Sequence, residues 1–189
     1  MIFINAELEA KTRNFVGKYY PKRYWPDLHD DDLVTTHKIL ALKSNSGEAL
    51  DYFYAKIEPK LRTGFSIVVV PSHEANLNPD ASRKRCVPLL ATRLAAAEGK
   101  DRVDATSCLV RHLTVAKLAS GGPRDKSVHL DSIRVENKNL IHGKDILLLD
   151  DVFTSGGSCE ACEELLMDAG AHSIRFLALG RTTYPEPSS

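Results

Sequence analysis

Residues 146–162 read ILLLDDVFTSGGSCEAC, and the rest of the chain can be read outward from them. Ile146 to Leu149 form an unbroken apolar run, and Asp150 and Asp151 follow side by side. A loop of hydroxyl residues and glycines (Thr154, Ser155, Gly156, Gly157, Ser158) then leads into a helical pattern. A short run that is apolar on both faces predicts a strand covered on both sides, as parallel strands are in α/β proteins. In the helix that follows, Cys162, Leu165, Leu166 and Ala169 share a face, and Gly170 ends it. A second apolar run, SIRFLALG at 173–180, completes a strand–helix–strand unit.

Similar units lie upstream. FSIVVVP (65–71) predicts a buried strand ended by proline. Val87, Leu90, Ala91 and Leu94 predict a helix with Pro88 in its first turn and Gly99 at its end. DATSCLVRHL (104–113) is a further strand candidate, and NSGEALDYFYAKIEPKL predicts a helix capped by Ser46. The expected fold is therefore α/β, a mostly parallel central sheet with helices on both faces. Residues 1–40, with their proline-dotted YYPKRYWP, read as a small N-terminal hood. Residues 41–185 read as the main domain and 186–189 as a tail. In such sheets ligands bind beyond the carboxyl ends of the strands, where Asp150, Asp151 and the TSGGS loop would sit.

A length of 189 residues suits one domain with one sizeable core. The chain carries 25 Lys and Arg against 25 Asp and Glu, so net charge makes no case for nucleic acid or acidic membranes. No apolar run is long enough to span a bilayer. MIFINAELEAKTRNF lacks the pattern of a signal peptide, which makes the cytoplasm the expected compartment. Cys86, Cys108, Cys159 and Cys162 are then expected as reduced thiols. Cys159 and Cys162 form a CxxC, read first as two small apolar residues on one helix face. A redox role is the weaker alternative, motivated by the low thiol pKa that a helix start can confer.

The loop has the chemistry of an anion site. Backbone N–H groups at a helix start attract negative charge, glycines let the backbone approach closely, and hydroxyls add donors. There is no GxxxxGK[ST] and no GxGxxG, so the site suits one terminal phosphate. The plain alternative is a tight turn and N-cap. Two adjacent carboxylates can accept hydrogen bonds from a vicinal diol and can favour a developing cation. A carboxylate about 4 Å from a cation gains roughly 4 kcal/mol at an effective dielectric of about 20. Realised only in the transition state, that is about three decades in rate. A solvated or metal-binding pair is the alternative for the aspartates.

LLLDDVFTSGGS resembles the phosphoribosyl-pyrophosphate (PRPP) motif of type I phosphoribosyltransferases. The resemblance implies that Asp150 and Asp151 hold the ribose hydroxyls and support an oxocarbenium-like transition state. Thr154, Ser155, Gly156, Gly157 and Ser158 would bind the 5′-phosphate, and Mg²⁺ would be held mainly by PRPP, with no direct protein ligands. IVVVPSH (67–73) is similar to the family's pyrophosphate loop, which makes Ser72 and His73 candidates, although a histidine such as His73 taken alone is more often an ordinary exposed loop residue. The stretch 114–127 sits where the family keeps a flexible loop. Lys117, Arg124 and Lys126 would there neutralise departing pyrophosphate, the alternative being a solvated basic loop.

The order HKILALK, VVVPSH, SRKR, CLVRHLT, SIRVEN and LLLDDVFTSGG is most like the ComF-like branch, over roughly residues 37–182. That branch often opens with a cysteine-rich zinc segment, absent here, and its RGFNQ segment is reduced to SRKRCVP, leaving Arg85 as the carry-over. The family's variable hood would come from the N-terminal region, with Tyr24 and Trp25, and Tyr184 beyond the last strand, as stacking candidates for the acceptor. Tyr19, Tyr20, Tyr24 and Trp25 could equally pack the hood's own core. The resemblance also implies a homo-oligomer and a nitrogen acceptor, a nucleobase among the options. The competing expectation is a non-catalytic PRPP-sensing regulatory or nucleic-acid-associated accessory protein.

Overall fold

In chain order the computed structural model, which describes residues 1–75, 86–115 and 125–185, begins with α1 (Ala6–Ala10), β1 (Arg13–Tyr19) and a 3₁₀ turn (Lys22–Asp27). It continues through α2 (Asp30–Lys43), α3 (Gly47–Ile57), β2 (Ser66–Val69), α4 (Cys86–Ala95), β3 (Val103–Asp104) and β4 (Leu109–Arg111). It ends with α5 (Lys126–Ser132), β5 (Ile133–Val135), β6 (Asp145–Phe153), α6 (Gly157–Asp168) and β7 (Ser173–Thr182). Five strands form one sheet in the order β1-β7-β6-β2-β3, every pair parallel. The strand that carries Ile146 to Leu149 is its centre, and all four side chains are buried.

Alternation along β6 feeds two layers. Leu147 and Leu149 join Ile39, Phe53 and Leu90 beneath α2, α3 and α4. Ile146 and Leu148 join Phe176, Cys162 and Leu166 beneath α6, where Leu109 and Ile133 of the β4–β5 ribbon complete the layer. Each fully buried Leu or Ile side chain contributes about 1.5–3 kcal/mol by removal from water. The cap on α3 forms as its sequence requires, with Ser46 Oγ accepting from Ala49 N at 3.3 Å. Among the described residues no helix is long and apolar enough to cross a membrane.

Three elements differ from the sequence expectation. The first is α5: Lys126, read from the sequence as part of a flexible loop, instead opens a helix capped by Asp125. The candidate strand at 104–113 is split: Val103–Asp104 pairs with β2 in the main sheet, while Leu109–Arg111 pairs antiparallel with β5. The break comes from Asp104, whose Oδ1 accepts from Thr106 N at 3.0 Å and Thr106 Oγ1 at 2.7 Å, closing a turn. The third difference is β1. Residues 13–19, inside the segment read as a hood, run as an edge strand parallel to β7, with Phe15 opposite Ala178 and Gly17 opposite Gly180.

Gly17 lets β1 lie close against α2, because a Cβ there would fall on the hydroxyl of Thr35. Gly17→Ala is expected to destabilise the fold by about 1–3 kcal/mol through overpacking. The measurement is the urea midpoint, with the slope unchanged.

Candidate functional site

The helix after β2 packs on one face of the sheet and the helix after β6 on the other, so a crevice opens between the carboxyl ends of two neighbouring strands. Val70 N donates to Leu149 O at 2.9 Å, which fixes the ends together. Pro71, Ser72 and His73 therefore leave the sheet beside Asp150 and Asp151.

The two carboxylates point apart. Leu149 and Val152 both pack in the α2 layer, so the strand's alternation slips across the aspartate pair. Asp151 turns to Lys43, in the last turn of α2, with Oδ2 2.8 Å from Nζ. Burial works against the Lys43 ammonium, but Asp151 outweighs it and holds its pKa above the ordinary lysine value. Asp150 is turned inward. Burial first, and then the charge of Asp151, raise its pKa well above the usual carboxylate range, although Asp151 N donates to its Oδ1 at 2.8 Å.

Beyond β6 the loop is shaped by Gly156, the N-cap residue of α6, at φ 95°. A Cβ at that position would lie 3.2 Å from both Phe153 Cζ and Glu160 Oε1, so the turn needs glycine twice over. Thr154 and Ser155 are exposed, Gly156 and Gly157 are buried, and Thr154 Oγ1 lies 2.9 Å from Thr182 Oγ1. Glu160, in the first turn of α6, is neutralised by Arg13 at 3.2 Å.

On the β2 side Ser72 is exposed and His73 half-buried, and the His73 carbonyl accepts from Val115 N at 2.9 Å. Arg85, Lys117 and Arg124 lie outside the described residues. Lys126 is described: it stands in the first turn of α5, a helix capped by Asp125, and its ammonium binds Glu164 of α6. Of the aromatic candidates, Trp25 is tied into the wall by Nε1 donating to Tyr20 O at 3.0 Å and by its ring against His37. Tyr24 meets Tyr184 edge-on at 5.8 Å, and Tyr184 is 52% exposed. Cys159 and Cys162 are buried, and burial drives both thiols upward, with the charge of Asp150 adding to it. Neither has the low thiol pKa that redox exchange needs.

Sequence reasoning overlooked a buried relay beneath the crevice. Arg111 of β4 is 1% exposed, and among the described residues no carboxylate pairs with it. Its Nε donates to Ser72 O, Nη1 to Ser132 Oγ, and Nη2 to His129 Nδ1 at 3.3 Å. A guanidinium only donates, so Nδ1 accepts and the ring proton of neutral His129 sits on Nε2. That nitrogen is 3.2 Å from Ser158 Oγ. Ser158 thus accepts from below and keeps its own hydroxyl proton for a ligand. The relay ties the Ser72 loop to the TSGGS loop.

Burial, and after it the charge of Arg111, lower the pKa of His129. The unfolded chain then binds more protons than the fold between that lowered value and about 6.5, so stability rises with pH across this window and is lost below it. Thermal unfolding is expected to show a drop in Tm from pH 7 to pH 5.5, and His129→Gln is expected to flatten it. An equal drop in both proteins would show that His129 is not the group responsible.

No family model matches the chain, and no curated protein matches it at a significant level. Among solved structures the chain is similar to a hypoxanthine phosphoribosyltransferase from Staphylococcus aureus, at 14% identity and a TM-score of 0.34, over 79% of this chain and 69% of that one. It is also similar to a purine phosphoribosyltransferase from Pyrococcus horikoshii, at 14% identity and a TM-score of 0.36, over 95% of this chain and 99% of that one.

Proposed function

We propose that the protein transfers 5-phosphoribosyl from PRPP to a nitrogen acceptor with release of pyrophosphate. One observation supports this reading: adjacent aspartates lie in the last paired stretch of the central strand, two residues before its end, and the strand runs on into a glycine-shaped anion loop, across a crevice from Ser72 and His73. The 5′-phosphate would take the N–H groups of the Thr154–Ser158 loop and the hydroxyl of Ser158. The ribose hydroxyls would reach Asp151 and Asp150, and the pyrophosphate would lie toward the Ser72–His73 turn. The acceptor nitrogen bonds to C1 as the C1–O bond to pyrophosphate breaks, and pyrophosphate leaves with the electron pair. Carboxylate charge near the ring favours that transition state over the ground state.

Among the described residues no group of three or more His, Cys, Asp or Glu could hold a metal ion. Mg²⁺ carried on the oxygens of PRPP would offset the charge of departing pyrophosphate without a direct protein ligand. A specific observation also favours a second reading, a protein that senses PRPP without turning it over. Asp151 is already ion-paired with Lys43, and burial holds Asp150 toward its neutral form, which weakens both as charge stabilisers. Calorimetry with PRPP·Mg²⁺ followed by an acceptor screen for pyrophosphate release separates them. Binding with turnover supports transfer, binding without turnover supports sensing, and no binding removes both.

A further inference from the structure

A cavity of about 540 Å³ opens where β1 and β7 end, lined by Phe15, Lys18, Arg181, Thr182 and Tyr184 among others. It adjoins the anion loop, because Thr182 is the residue hydrogen-bonded to Thr154. Its walls combine ring surface with positive charge. The Arg181 guanidinium lies 5.4 Å from the Phe15 ring centroid, Tyr184 is exposed at the rim, and Lys18 is exposed beside it. Neither Lys18 nor Arg181 is ion-paired among the described residues, whereas Lys43, Arg13 and Lys126 nearby all are. Two unneutralised cations facing an aromatic-walled cavity suit a ligand that is planar and negatively charged.

We propose that this cavity receives the acceptor, and that the acceptor is a planar heteroaromatic ring bearing a carboxylate. This rests on the transfer reading above. The carboxylate would bridge Lys18 and Arg181, the ring would lie between Phe15 and Tyr184, and the acceptor nitrogen would face β6 on the Asp150–Asp151 side, where the ribose would lie. A neutral nucleobase would leave both cations unpaired.

The test uses matched probes on the full chain, with and without PRPP·Mg²⁺: pyridine-3-carboxylate against pyridine-3-carboxamide, uracil-6-carboxylate against uracil, and inorganic phosphate as competitor. At least one carboxylate is expected to bind roughly tenfold or more tighter than its uncharged partner, and Lys18→Ala/Arg181→Ala is expected to erase that preference. Both positions are exposed, so the variant keeps its fold, checked by its unfolding midpoint. Equal binding of charged and uncharged probes, or phosphate displacing the ring probes as well as any carboxylate does, would overturn the assignment. PRPP binding without any carboxylate preference sinks this proposal and leaves the transfer reading standing. Carboxylate binding that depends on Lys18 and Arg181 in a protein that ignores PRPP keeps the site and sinks the transfer reading.

Discussion

Asparagine at both Asp150 and Asp151 is expected to abolish saturable PRPP·Mg²⁺ binding in calorimetry, a loss of at least about a hundredfold. Hydrogen bonds to charged groups are worth about 1.5–3 kcal/mol each, and two are removed together. Stability is expected to move the other way for one of the pair. Asp150 has a raised pKa because it is half-buried and stands beside another carboxylate. A raised carboxyl pKa means that the fold binds more protons than the unfolded chain above about pH 3.9, so stability falls as pH rises from there toward the folded value. Asp150→Asn removes that slope and is expected to raise the unfolding midpoint at neutral pH. Asp151→Asn instead leaves Lys43 without its partner and is expected to lower it. A double variant that still binds PRPP within about threefold of wild type would end the claim that these carboxylates hold the ligand.

That opposition between stability and binding is visible in where the sequence is legible. The unit from Ile146 to Gly180 could be read because its signals are local: an apolar run, a glycine turn and a helical stripe lie in contact order along the chain. The aspartates and the loop were visible for the same reason, as a local break in an otherwise apolar strand. β1 was not, since RNFVGKY mixes charge and glycine, and its strand character comes from pairing with β7 at the far end of the chain. The split at Asp104 needed a side-chain turn to be weighed against an apolar run. Lys43, Arg111 and His129 carry no local signal. Lys43 reads as an ordinary helix-ending cation, and only tertiary structure brings it to Asp151. The aromatic cluster was legible as a group but not by role, because Trp25 is committed to Tyr20 and His37 while Tyr184 stays open.

The relay beneath the crevice gives the second large effect. Arg111→Ala is expected to cost about 3–5 kcal/mol, since it leaves a void and strips a donor from His129 Nδ1 and Ser132 Oγ. Arg111→Met fills most of the volume and removes a buried cation that burial already disfavours, so it is expected to cost less, about 1–3 kcal/mol, through the unsatisfied imidazole. His129→Phe removes that imidazole and the contact with Ser158. If Arg111 and His129 act as one unit, Arg111→Met/His129→Phe is less destabilised than the sum of the single variants. Ligand binding should not recover with stability. Without Arg111 the Ser72 turn loses the cation that grips its carbonyl, and without His129 the Ser158 hydroxyl is no longer oriented from below. Arg111→Met, His129→Phe and the double variant are therefore all expected to bind PRPP more weakly, while the double variant unfolds closer to wild type than the summed losses would place it. Strictly additive losses in stability, or affinity returning along with stability, would show that the two anion loops are not coupled through this buried arginine.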